Sequence, residues 1–103
     1  MTVQSPKAGS DGPFTVRMRE KLMIGLEPTR LDLINESELH AGHRSSPGTG
    51  ESHFRIVVVS PRFAGQSRVA RHRMVNQLVK DELRDGVHAL AVHAFAPGED
   101  VVT

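Results

Sequence analysis

Residues 54–59 read Phe54-Arg55-Ile56-Val57-Val58-Val59. The run is β-branched and almost unbroken in apolar residues, the composition of a buried central strand. Alternation puts Phe54, Ile56 and Val58 on one face, and His53, Arg55, Val57 and Val59 on the other. On its N-terminal side, Leu31 and Leu33 alternate with polar residues and predict a second strand over Arg30 to Asn35. Further upstream, Asp11-Gly12-Pro13 has the form of a helix start, with proline just inside the first turn. Met18, Leu22, Met23 and Leu26 then recur at helical spacing. Glu27-Pro28-Thr29 ends that helix, because a residue before proline avoids the helical region. On the C-terminal side, Ser67 is placed to cap a long helix running to about Arg84, with Met74, Val75, Leu78, Val79 and Leu83 as its apolar stripe. Arg71, Lys80 and Arg84 fall mostly off the stripe, and Asp85-Gly86 stops the helix. A third strand follows from Val87 to Phe95, with His88, Leu90 and Val92 on one side and Ala89, Ala91, His93 and Phe95 on the other. The order helix, strand, strand, helix, strand predicts a two-layer α+β domain.

A chain of 103 residues suits one domain and buries roughly 65% of its unfolded surface. Residues 1–11, rich in Ser, Gly, Pro and Lys, read as a flexible tail, 12–97 as the domain and 98–103 as a short C-terminal tail. Seventeen residues, Glu36 to Ser52, join the first two strands without periodicity. A loop that long in a compact domain is usually functional or disordered, and this one carries His40 and His43. There is no Cys, so a disulfide or a thiolate metal site within the chain is excluded. No apolar run approaches the roughly 20 residues of a membrane span. The N-terminus also lacks the apolar stretch of a signal peptide. The expectation is a soluble cytoplasmic protein.

Thirteen Lys and Arg against twelve Asp and Glu give a net charge of +1, with six His besides. Neutral imidazole is the commonest protein metal ligand. His40 or His43 and His88 converge if the loop folds over the sheet end, yet no closed zinc site is readable. Taken singly, a histidine is more often a surface or core-edge residue; His88 stands out because a strand entrance is half-buried and still reachable. Between Arg62 and Arg73 lie four arginines and no acid. The ordinary reading is a solvated helix face. The functional one is a surface for phosphates or an acidic partner, with Arg68, Arg71, Arg73 and Lys80 as candidate nucleic-acid contacts. Against it, the only aromatics are four Phe, with no stacking platform. Catalysis has no support. No serine sits in a nucleophile elbow, no glycine-rich phosphate loop joins a strand to a helix, and adjacent Asp81-Glu82 cannot form an acid/base dyad. The chain is not expected to be an enzyme.

Three segments together resemble the BolA family. One is Asn35-Glu36-Ser37 followed by Ser52-His53-Phe54 opening a Val-rich strand to Ser60. The others are Phe63-Ala64-Gly65 with Arg71-His72-Arg73 and Val75, and Gly86-Val87-His88-Ala89-Leu90-Ala91. The resemblance runs from about Phe14 to Pro97. It implies a class II KH-like fold, α-β-β-α-β, with helices on one face of a three-stranded mixed sheet. It also implies a monothiol glutaredoxin partner, with a [2Fe-2S] cluster shared in a heterodimer or a cluster-free complex, in iron–sulfur trafficking and iron regulation. Some bacterial members also act as DNA-binding regulators. By the same resemblance, His88 matches the family's invariant histidine, and His40, with His43 as its rival, matches the second cluster ligand. His53 and His72 belong to the pattern with structural roles, tying the helix start to the sheet, while Asn35 and Ser37 bond the backbone where the strand leaves for the loop. With no thiolate of its own, the chain would supply one or two imidazoles, and the partner a Cys with glutathione as the other thiolate. Alone it would be a monomer without cofactor.

Overall fold

The computed structural model describes residues 12–37 and 52–101. The elements are α1 (Pro13–Leu26), β1 (Arg30–Asn35), β2 (His53–Val59), a 3₁₀ turn (Pro61–Phe63), α2 (Arg68–Leu78), α3 (Lys80–Asp85) and β3 (Ala89–Phe95). The sheet order is β1-β2-β3. β1 runs antiparallel to β2, with Leu33 opposite Ile56, and β3 runs parallel to it, with Val92 beside Ile56. The sheet is therefore mixed, with the Val-rich run at its centre. Phe54, Ile56 and Val58 pack with Met18, Leu22 and Leu26 of α1 and with Val75 and Val79. The helices thus cover the face to which Phe54, Ile56 and Val58 point. Val57, on the opposite face between Asp32 and His93, is also buried, as befits a central strand.

Local chemistry sets the boundaries. Pro13 opens α1 after Gly12, as its fixed φ favours. At the other end Glu27 takes a left-handed φ of 46°, and its N–H reaches the Met23 carbonyl. Ser60 Oγ donates to the Leu26 carbonyl at 2.5 Å, so β2's end is tied to α1's end. Ser67 Oγ accepts from the Ala70 N–H and caps α2. At Gly25 an added Cβ would lie 2.6 Å from Leu78 Cδ2, so glycine is what lets α1 and α2 approach.

Three expectations need correction. Met23 is not core but half-exposed, because Met18, Leu22 and Leu26 alone fill the narrow seam on the sheet. The single long helix is two. Val79, with ψ near 23°, bends the chain between α2 and α3 although the Leu83 N–H still bonds the Val79 carbonyl. The bend swings α3 against α1, where the fully buried Glu82 carboxylate meets Lys21 Nζ at 2.8 Å and Arg17 Nε at 3.0 Å. That tertiary ion cluster outweighs helix straightness, and the Glu82 hydrogen bond raises the Lys21 pKa. Finally, β3 starts at Ala89 rather than Val87, since the chain is still closing α3 through Gly86 and Val87.

Candidate functional site

Two places gather the residues the sequence singled out: the entrance of β3, and the cleft between α2 and β3.

At the entrance, the Glu82 carbonyl accepts from both Gly86 and Val87 N–H, ending α3. Gly86 is required by close approach, since a Cβ there would lie 2.7 Å from Phe14 Cε2. Val87 is buried and His88 is exposed. The His88 N–H donates to the Ser52 carbonyl at 2.8 Å, and the Ala89 N–H donates to the same oxygen at 3.1 Å. Ser52 is itself fully buried. Its N–H donates to Ser37 Oγ at 2.8 Å, as does the His53 N–H at 3.1 Å. The Ser37 N–H is held by Asn35 Oδ1 at 2.9 Å, an Asx turn where β1 ends. Ser52 Oγ and His53 Nδ1 share a hydrogen bond of 2.8 Å, and Arg55 pairs with Glu36 at 2.8 Å. Both stems of the long loop are thereby knotted to each other and to the backbone of His88. The expected roles of Asn35 and Ser37 are met here. The His53 ring instead bonds the neighbouring Ser52 hydroxyl and so braces the loop stem, not the helix start that it is expected to tie to the sheet. His88 differs from the sequence reading in being exposed rather than half-buried. It precedes the strand, and its backbone alone is anchored. His40 and His43 lie outside the described residues. Among the described residues no group of three His, Asp or Glu can hold a metal ion. The entrance thus presents, among the described residues, the exposed imidazole of His88 and no group that holds a metal ion by itself.

In the cleft, the basic stretch is largely committed. Arg71 forms a bidentate pair with Glu99 at 2.7 and 2.9 Å and donates to the carbonyls of Gln66 and Ala94. Its guanidinium lies 5.9 Å from the Phe63 ring centre, and its side chain is only 12% exposed. The structure therefore removes Arg71 from the candidate phosphate contacts. Arg71, rather than His72, is what ties the start of α2 to the sheet. Glu99, assigned above to the C-terminal tail, also accepts from the Ala96 N–H and so belongs to the domain. The Arg71 guanidinium, with the Ala96 N–H, holds the Glu99 carboxyl down to about 2. Arg62 is likewise paired, with Glu27 at 2.8 Å. Arg68, Arg73 and Lys80 are exposed. Arg68 and Arg73 diverge by about 140° around a regular helix, and Lys80 lies beyond the bend at Val79. The candidates do not make one face. Sequence reasoning assigns Glu99 no role and quotes Ser52 only as part of a motif, because their partners are tens of residues away or on the backbone.

The family model described as BolA-like protein matches residues 22–99. A Sinorhizobium protein from the cobS 5′ region is 55% identical over 87 residues, spanning 84% of this chain and 94% of that one. The "DNA-binding transcriptional regulator BolA" of Vibrio cholerae is 48% identical, spanning 80% and 74%. Among solved structures, the BolA domain of SufE1 from Arabidopsis thaliana superposes with a TM-score of 0.77 at 43% identity, covering 86% of this chain and 98% of that domain. Fold and sequence agree, and the chain belongs to the BolA family.

Proposed function

We propose that the protein is a cytoplasmic adaptor for a monothiol glutaredoxin, with which it shares a [2Fe-2S] cluster in iron–sulfur trafficking and iron regulation. The observation that carries this reading is His88. Its side chain is exposed while its backbone is pinned to buried Ser52 beside both stems of the loop that holds His40 and His43. A ligand on a fixed backbone needs little ordering when the partner arrives. The absence of Cys fits a chain that contributes imidazole while its partner brings the thiolates, one from Cys and one from glutathione. An imidazole-ligated cluster supplies a higher reduction potential than an all-thiolate one, and a bond that mild acid breaks, which suits transfer or sensing. No step here requires the chain to act as a catalyst.

The test is reconstitution. Mixing the protein with a glutaredoxin of the same organism, iron, sulfide and glutathione is expected to give a coloured heterodimer. Its absorption and circular-dichroism spectra should differ from those of the glutaredoxin homodimer. If no complex forms with any such glutaredoxin, the adaptor reading fails.

A second reading, DNA-binding regulation, is favoured by the 48% identity to the Vibrio cholerae regulator, with the exposed Arg68 and Arg73 as separate candidate contacts. Fluorescence-anisotropy titration with duplex DNA tests it. Removing Arg68 or Arg73 is expected to flatten the salt slope by about one unit. Affinity no better than the non-specific range of about 10⁻⁴–10⁻⁶ M would end this reading.

A further inference from the structure

We infer that the free edge of β3, where α2 overhangs it, is a strand-addition site for an extended acidic segment of another protein. Within a parallel ladder, the N–H and C=O of one residue point to the same side. The Phe95 carbonyl accepts from the Ser60 N–H, and the Ala89 N–H donates to the Ser52 carbonyl, so these residues face β2. Leu90, Val92 and Ala94 therefore aim their backbone groups outward, and among the described residues no strand lies there. The far end of this edge is already closed by side chains. Arg71 donates to the Ala94 carbonyl, and Glu99 accepts from the Ala96 N–H. What stays open is a short ladder: both backbone groups of Leu90 and Val92, and the N–H of Ala94. An open row of this kind is a template for an added strand.

A groove of about 560 Å³ accompanies it, with Arg68, Arg71 and His72 of α2 on one wall and Val92 to Phe95 along β3. The wall sets the chemistry of the occupant. Of the charged groups that line the groove, Arg71 and Glu99 pair with each other, and Asp100 follows Glu99 past the closed end of the edge. That leaves Arg68, exposed and with no ion pair among the described residues, as the unpaired cation of the α2 wall. Side chains of an added strand alternate. Those on the helix side meet Arg68 and His72; those on the other side lie beside His93 and Phe95. A segment alternating acidic with apolar residues complements both. A nucleic-acid strand fits less well, because a sugar-phosphate backbone has no alternating N–H and C=O groups to pair with those left open on Leu90 and Val92.

The inference stands apart from glutaredoxin binding and is tested on the whole chain without glutaredoxin or iron. The probes are fluorescein-labelled short peptides alternating Asp with Val, or Lys with Val. The Asp peptide is expected to bind and to shift the amide resonances of Leu90, Val92 and Ala94. Backbone N-methylation along one edge of the peptide should abolish binding, and along the other edge leave it unchanged. Arg68→Glu, at an exposed position, should weaken the Asp peptide about tenfold and reverse the preference towards Lys. Equal binding of both N-methylated peptides, an Arg68→Glu variant that discriminates as the parent does, or oligodeoxythymidine displacing the Asp peptide from the same amides would each overturn it.

Discussion

At the N-terminal end of β3 the bonds that hold the chain run through backbone groups and serine hydroxyls, and the imidazole of His88 is left exposed. At its C-terminal end the functional side chains are the bonds. Arg71 and Glu99 saturate each other and the strand edge beside them. The difference teaches which charged or ligating residues are available to a partner. A side chain is free when its neighbourhood is secured by groups other than itself. By that rule His88 is a candidate for ligation and Arg71 is not, although both stand out equally in the sequence.

The largest effect should come from His88→Ala. In the reconstituted heterodimer this change is expected to abolish the distinctive cluster spectrum, while the cluster-free complex survives, since that rests on surface contacts. His40→Ala should only make the cluster more labile, because His43 or solvent can substitute. Fixing a residue costs about 1–2 kcal/mol, and the His88 backbone is already fixed, so His88 is expected to contribute most. Spectra of both variants with the same glutaredoxin check this. An unchanged spectrum for His88→Ala would return His88 to the surface and erase the contrast between the two ends.

Next in size is the knot itself. Ser37 is 4% exposed and accepts from two backbone N–H groups. Ser37→Ala leaves both without that acceptor, at a cost of about 3 kcal/mol. Urea unfolding reads this as a lower midpoint with an unchanged slope. A loss under about 0.5 kcal/mol would mean that water replaces the hydroxyl and that the loop stems are not secured as argued.

At the other end, Arg71→Met keeps the aliphatic stem against Phe63 but gives up the bonds to Gln66, Ala94 and Glu99. The expected loss is smaller, about 1 kcal/mol, because most of these partners reach water once released. Nucleic-acid affinity should not change. A drop in affinity with unaltered stability would reinstate Arg71 as a phosphate contact.

The sequence carried local information well. Alternation located β2 and β1, proline and glycine marked the start of α1, and Ser67 announced α2, because each signal lies within a few residues of its consequence. It misjudged what depends on distant pairing. The bend at Val79 answers to Glu82 meeting Lys21 across 61 positions, and the loss of Arg71 answers to Glu99 across 28. Neither partner is a neighbour at helical or strand spacing, so periodicity cannot find them. His88 was legible through its motif, but its exposure was not. Alternation extrapolated the strand back to Val87 and turned His88 inward, whereas the strand begins two residues later.

The smallest effect concerns acid. The Arg71 pair and the Ala96 N–H lower the Glu99 carboxyl from the usual 4.5 to about 2. A depressed carboxyl contributes stability that is complete above the unfolded value and fades as pH falls through the folded one. The clamp is therefore intact above about pH 4.5 and lost towards pH 2. Glu99→Gln should lower the urea midpoint slightly at neutral pH, and parent and variant should converge as pH falls across that window. Salt should narrow the difference too, since Glu99 is 43% exposed and its pair is screened. Among the described residues the Ser37 hydroxyl bonds the backbone N–H groups of Ser52 and His53, which do not titrate, so the deficit of Ser37→Ala should stay flat over the same acid range. Midpoints of the three proteins against pH therefore separate the two ends of β3 in one experiment. Parallel curves for Glu99→Gln and Ser37→Ala would show that the C-terminal clamp works by shape rather than by charge.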